Sequence, residues 1–114
     1  MARLVLNCEG VGLVTHELVR DVVMIGRAPS NQIVIDHFTV SAQHAVLVKV
    51  RDTYWLMDLH STNGTQINGD FVNNANLKDG DTIRFGSVVG VFSGHYRKRP
   101  STTLLRKFRT NIPT

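Results

Sequence analysis

Three short polar segments carry side chains that strands and turns do not by themselves require. The first is Gly26-Arg27. The second is Thr39-Val40-Ser41-Ala42-Gln43-His44. The third is His60-Ser61-Thr62-Asn63-Gly64-Thr65, followed closely by Ile67-Asn68-Gly69. Brought together, they supply a guanidinium, two or three hydroxyls, a carboxamide and backbone N–H groups, and they contain no carboxylate. That set suits a phosphate. Arginine is a charged, bidentate donor, hydroxyls are neutral donors, and turn N–H groups complete the shell. Taken singly, each residue has a plainer role. Arg27 suits an ion pair with Asp36 or Asp58, Ser41 a turn cap, and Ser61-Thr62-Asn63-Gly64 a hairpin turn.

Catalytic and metal chemistry fit poorly. Asp36, Ser41, His44, His60 and Ser61 include the residue types of a hydrolase triad. Neither serine lies in a Gly-x-Ser-x-Gly turn, and the chain has no Gly-x-x-x-x-Gly-Lys-Ser/Thr loop. Its five histidines (16, 37, 44, 60 and 95) show no His-x-x-x-His spacing. Cys8 is the only cysteine, which excludes an intrachain disulfide and a cysteine-based zinc site. No catalytic residue, metal or cofactor is expected, and His44 reads as a hydrogen-bonded structural histidine.

The elements that must position these segments are short strands. Apolar or alternating runs recur at Leu4–Leu6, Leu13–Leu18, Val22–Ile25, Ile33–Ile35, Ala45–Val50, Tyr54–Leu59, Thr82–Phe85 and Val88–Phe92. Turn residues separate them, among them Pro29-Ser30-Asn31, Arg51-Asp52, Asn63-Gly64, Asn68-Gly69 and Asp79-Gly80. No helix-length stretch with 3.6-residue periodicity stands in the body. An all-β sandwich or barrel is expected, with residues 44–59 as a hairpin. Loops of a sandwich gather at its two ends, so the three segments can meet.

The string Gly26-Arg27, Asp36, Ser41, His44, Asp58-Leu59, Ser61-Thr62-Asn63-Gly64-Thr65, Asn68-Gly69, Leu77, Gly80-Asp81, Ile83, Phe85-Gly86 resembles the forkhead-associated (FHA) domain family over residues 3–94. The resemblance implies a β-sandwich of two twisted sheets with 11 strands that binds phosphothreonine peptides through its loops. It implies that Arg27 contacts the phosphate, Ser41 donates its hydroxyl to it, and Thr62 helps bind it beside the threonine methyl. Asn63 would hydrogen-bond the peptide backbone. Gly26, His44, Ser61, Gly64, Asn68 and Gly69 fall at supporting positions, with His44 bracing the loops and Asn68 tying a turn. Many members carry Arg or Asn directly after the serine, where this chain has Ala42. One side-chain donor is thereby lost, while the Ala42 N–H remains. The implied partner is a phosphothreonine-containing protein or peptide, with a Ser/Thr kinase or its substrates behind it. Side chains after the phosphothreonine would be read by Pro29–Gln32, His37–Val40 and Phe71–Asn76. The alternative is phospho-independent binding or self-association on the same fold.

Charge divides the chain. Its 114 residues carry a net charge of +4. Residues 1–94 hold seven Lys and Arg against nine Asp and Glu, whereas residues 95–114 hold six cations and no acid. The expected organisation is a binding domain over 1–94 and a basic tail over 95–114, and any nucleic-acid contact would rest on that tail. Leu104, Leu105 and Phe108 have the spacing of one apolar side of a short helix. A tail that is flexible or docked on its own domain is the plainer reading, with partner docking or contact with an acidic surface as the alternative. Thr102 and Thr103 follow Arg97-Lys98-Arg99, a context that basophilic kinases favour, so phosphorylation there would create a ligand for the pocket. The N-terminus lacks the apolar region of a secretory signal, and no run is long enough to span a bilayer. A reducing, cytoplasmic location is expected.

Overall fold

The computed structural model describes residues 2–94. The basic tail, with Thr102 and Thr103, lies outside the described residues. All regular structure in the described part is β. The strands are β1 (Ala2–Cys8), β2 (Gly12–Leu18), β3 (Val22–Gly26), β4 (Ile33–Val34), β5 (Ala45–Val50), β6 (Thr53–Asp58), β7 (Thr65–Ile67), β8 (Asp70–Phe71), β9 (Asn74–Asn76), β10 (Thr82–Phe85) and β11 (Val88–Gly94). They form one sheet in the order β2-β1-β11-β10-β7-β8 and another in the order β4-β3-β5-β6-β9.

Alternation explains the longer strands. In β1, Leu4 and Leu6 point inward while Arg3 and Asn7 stay exposed. In β6, Tyr54 and Leu56 are buried and Trp55 and Met57 are exposed. The core closes where Leu4, Leu6, Ile83, Phe85 and Phe92 of the first sheet meet Val23, Ile25, Leu47, Tyr54 and Leu56 of the second. Tyr54 brings a hydroxyl into that core and donates it to the Arg20 carbonyl at 2.8 Å and the Leu18 carbonyl at 3.3 Å. Strands β5 and β6 pair from Ala45–Asp58 to Val50–Thr53 across the two-residue turn at Arg51-Asp52, which is the expected hairpin.

The ends of the sandwich differ in what they hold. At one end lie the β1–β2 turn, the connections after β3, β4 and β6, and the Gly86-Ser87 turn between β10 and β11. At the other lie the Arg51-Asp52 turn and the pairing of Ala2 with both Leu18 and Gly94. The first end carries the three polar segments.

Candidate functional site

Backbone bonds fasten the first two segments. Arg27 N–H donates to the Ser41 carbonyl at 2.9 Å, and Ala28 N–H donates to the Ala42 carbonyl at 3.1 Å. Gly26 makes this approach possible. A Cβ there would sit 2.3 Å from the Ala42 oxygen and 2.9 Å from Asn31 Nδ2. The Ala42 carbonyl is main chain and already accepts two hydrogen bonds, so it cannot yield easily. Gly26→Ala is therefore expected to cost about 1–3 kcal/mol as an overpacked contact. It should also weaken ligand binding, because the same seam holds Arg27 against Ser41. Paired urea titrations and binding curves check both.

The third segment is built on Asp58. Its carboxylate accepts the Ser61 hydroxyl at 2.5 Å, the Ser61 N–H at 3.1 Å and the Thr65 hydroxyl at 2.7 Å. Gly64 N–H then donates to Ser61 Oγ at 3.0 Å. This closes the turn around Thr62 and Asn63, and Gly64 takes a positive φ of 85° that its lack of a Cβ allows. Burial raises the Asp58 pKa, but the hydrogen bonds from Ser61 and Thr65 outweigh it and hold the carboxyl below its usual range. The acid is thus consumed as scaffold.

His44 joins the second and third segments. It is fully buried. Its Nδ1 accepts the Ser41 N–H at 3.0 Å, which places the proton on Nε2, and that donates to the Gly64 carbonyl at 3.0 Å. Burial pushes its pKa below the ordinary histidine value, more than the Gly64 bond and the Asp58 charge raise it. With both nitrogens engaged inside the protein, the ring braces the loops.

The four residues expected at the phosphate come together here. Arg27 is exposed, and its Nη1 donates to the Val40 carbonyl at 2.6 Å. Among the described residues no carboxylate lies within ion-pair distance of it, so the pairing with Asp36 or Asp58 is not made. Ser41 Oγ accepts the Thr62 N–H at 3.0 Å, which leaves the serine proton free to donate outward. Thr62 and Asn63 are exposed. Asn63 Nδ2 donates to the Thr39 carbonyl at 2.8 Å, so half of its amide already ties two loops. Among the described residues the Ala42 N–H has no partner. Asn68 ties the β7–β8 turn to β10, accepting the Thr82 N–H and donating to Asp81, both at 2.9 Å.

The segments expected to read flanking side chains fare differently. Asn31 is buried and donates to the Ala28 and Ala42 carbonyls, both at 2.8 Å. It is scaffold rather than reader, and Gln32 is likewise engaged by the Met24 N–H at 2.7 Å. Residues 71–76 are not simply a loop, since they hold part of β8 and all of β9. What remains outward beside the site is aromatic. Phe38 is 85% exposed and stacks on His37, and Phe71 is 70% exposed with its ring against Gly64. Thr39 is a hub that the spacing did not reveal. Its hydroxyl meets His37 Nδ1 at 2.8 Å and Ser87 Oγ at 2.9 Å, which anchors the second segment to the β10–β11 turn.

The lowered values of His44 and Asp58 fix the sign of the acid response. A histidine held neutral binds fewer protons folded than unfolded, so its stabilisation is complete above about pH 6.5 and declines as pH falls below that. Protonation also places an N–H on Nδ1, facing the Ser41 N–H. Asp58 adds a second loss, at the lower pH where its depressed carboxyl is protonated. Half-buried His16 is shifted down by burial as well. The His44 share is the part of the decline between pH 7 and 5 that His44→Gln removes from urea midpoints.

Comparison with known proteins accords with this geometry. The FHA domain profile matches residues 23–86. The ABC transporter ATP-binding/permease protein Rv1747 of Mycobacterium tuberculosis is 39% identical over 82% of this chain, which spans only 11% of that protein's length. A solved domain studied for phosphothreonine-dependent FHA domain interactions superposes with a TM-score of 0.76 at 33% identity, over 82% of this chain and 96% of its own. The FhaA FHA domain, complexed with the intracellular domain of Rv3910, superposes with a TM-score of 0.74 at 33% identity, over 81% and 99%. Sequence pattern, sheet order and these matches agree, and the chain belongs to the FHA domain family.

Proposed function

We propose that residues 1–94 form a phosphothreonine-peptide-binding module in Ser/Thr-kinase signalling, without catalysis of its own, and that the basic segment 95–114 is a separate tail. The observation that carries this reading is the exposed Arg27 guanidinium. It is anchored by the Val40 carbonyl, lacks a carboxylate partner among the described residues, and belongs to the same bonded loop cluster as the Ser41 hydroxyl and Thr62. Arg27 supplies the charge, Ser41 and Thr62 the neutral donors, and the Ala42 N–H stands in for the missing side chain. Asn63 holds the peptide main chain with the part of its amide that Thr39 leaves unused. The phosphothreonine dependence of the related solved domain supports the assignment.

With one arginine on the phosphate, affinity falls in the micromolar range or weaker, about −8 kcal/mol at 1 μM. Threonine is preferred over serine through its methyl, worth ~0.8 kcal/mol when buried and up to ~3 kcal/mol in a tight slot. The partner is a phosphothreonine protein, a kinase or a kinase substrate, in the cytoplasm. Fluorescence anisotropy with a degenerate peptide library tests this, comparing phosphothreonine, phosphoserine and unmodified threonine at the fixed position. Binding confined to phosphothreonine is expected. Equal binding of the unmodified library would replace this reading with phospho-independent association.

A further inference from the structure

The outer face of the β4-β3-β5-β6-β9 sheet is patterned for cover. An antiparallel sheet with one solvated face alternates apolar and polar residues, and continuous apolar runs mark strands covered on both sides. Here Val22, Val48 and Trp55 align across β3, β5 and β6, and Met24, Val46 and Met57 align in the next row. All six are apolar and alternate with the core residues Val23, Ile25, Leu47 and Leu56. Val22 is 50% exposed, Met57 44% and Trp55 37%, Met24 and Val48 are half-buried, and Val46 is buried. Beside β6 the two rows end in the amides of Asn74 and Asn76 on β9, with no charge in either row.

We propose that this face is the docking surface for residues 104–108 of the same chain. With three of its six side chains exposed, it falls well short of the ~800 Å² per partner that a standard stable interface buries. A second copy would hold on it weakly. A tethered segment meets it at an effective concentration of order millimolar, so a small face suffices. The route is short. Gly94 N–H donates to Asp79 Oδ1 at 3.0 Å, and Asn76 and Leu77, just before Asp79, accept the Thr53 hydroxyl at 3.1 and 3.0 Å. The last described residue thus lies near the β9 margin, and Thr53 is two positions from Trp55 on the same side of β6. Ten Cα-to-Cα steps lead from Gly94 to Leu104 and span up to about 33 Å, which is ample to round that margin. Leu104, Leu105 and Phe108 supply apolar side chains of the kind the neutral rows lack a partner for.

Trp55 is the only tryptophan and stands on this face, so it reports occupancy directly. The experiment uses the full chain, following Trp55 emission and acrylamide quenching across protein concentrations. The wild type is compared with a Leu104→Ser, Leu105→Ser, Phe108→Ser variant, which leaves the described fold untouched. The expected result is a shielded Trp55 at every concentration in the wild type, with a red shift and stronger quenching in the variant. Equal exposure in both proteins would overturn the proposal. So would shielding that grows with concentration in both, which would assign the face to a second copy.

Discussion

Arg27→Ala is expected to weaken phosphopeptide binding by about 10- to 150-fold, the equivalent of one charge-assisted hydrogen bond at ~1.5–3 kcal/mol. The effect is large because no neighbour substitutes for the guanidinium. Ala42 brings no side-chain donor, and Ser41 and Thr62 are neutral. Stability should barely move, since Arg27 is exposed and its one bond within the fold goes to the Val40 carbonyl. Arg27→Lys keeps the charge but loses the planar fork, and an intermediate affinity follows. Anisotropy on a phosphothreonine peptide, paired with a urea titration of each variant, separates the two effects. An unchanged affinity would place the phosphate elsewhere on the domain.

The other large effect is on folding. His44→Ala removes the single ring that satisfies the Ser41 N–H and the Gly64 carbonyl and that packs edge-on to Phe85 at 5.8 Å. An unpaired buried group costs ~1–3 kcal/mol, and the vacated volume adds to it, for a total of about 3–5 kcal/mol. Against a typical domain stability of about 5–15 kcal/mol this is a severe loss. It should appear as a lower urea midpoint. Phosphopeptide affinity should also drop while the protein is still folded, because His44 fixes Ser41 relative to the Thr62 turn. A variant with native-like stability would mean that the ring nitrogens brace nothing.

The longer strands and the loops that carry the candidate site were legible because their signals are local. β1, β2, β5, β6 and β11 each span six or seven residues, long enough for alternation to show. Asn68-Gly69 reads as a tight turn from its residue types, and both adopt positive φ, 51° and 92°. The strands β7, β8 and β9 have two or three residues each. Pairing partners rather than periodicity define them, and no pattern of that length exists to read. Asn31 shows the same limit at the site. Its type and its place after Pro29-Ser30 suggest an exposed loop, but its amide is drawn inward by two carbonyls, one of them eleven positions away. Thr39 is a comparable case, since its bond to Ser87 joins residues 48 positions apart.

The register Ala2–Gly94 carries an architectural consequence. The two strands that bound the described domain start and stop side by side, at the pole opposite Arg27, Ser41 and Thr62. A domain with adjacent ends can be spliced into a longer polypeptide without parting the segments on either side of it. This geometry suits a portable unit, and it accords with a relative in which the matched region is 11% of a much larger transporter.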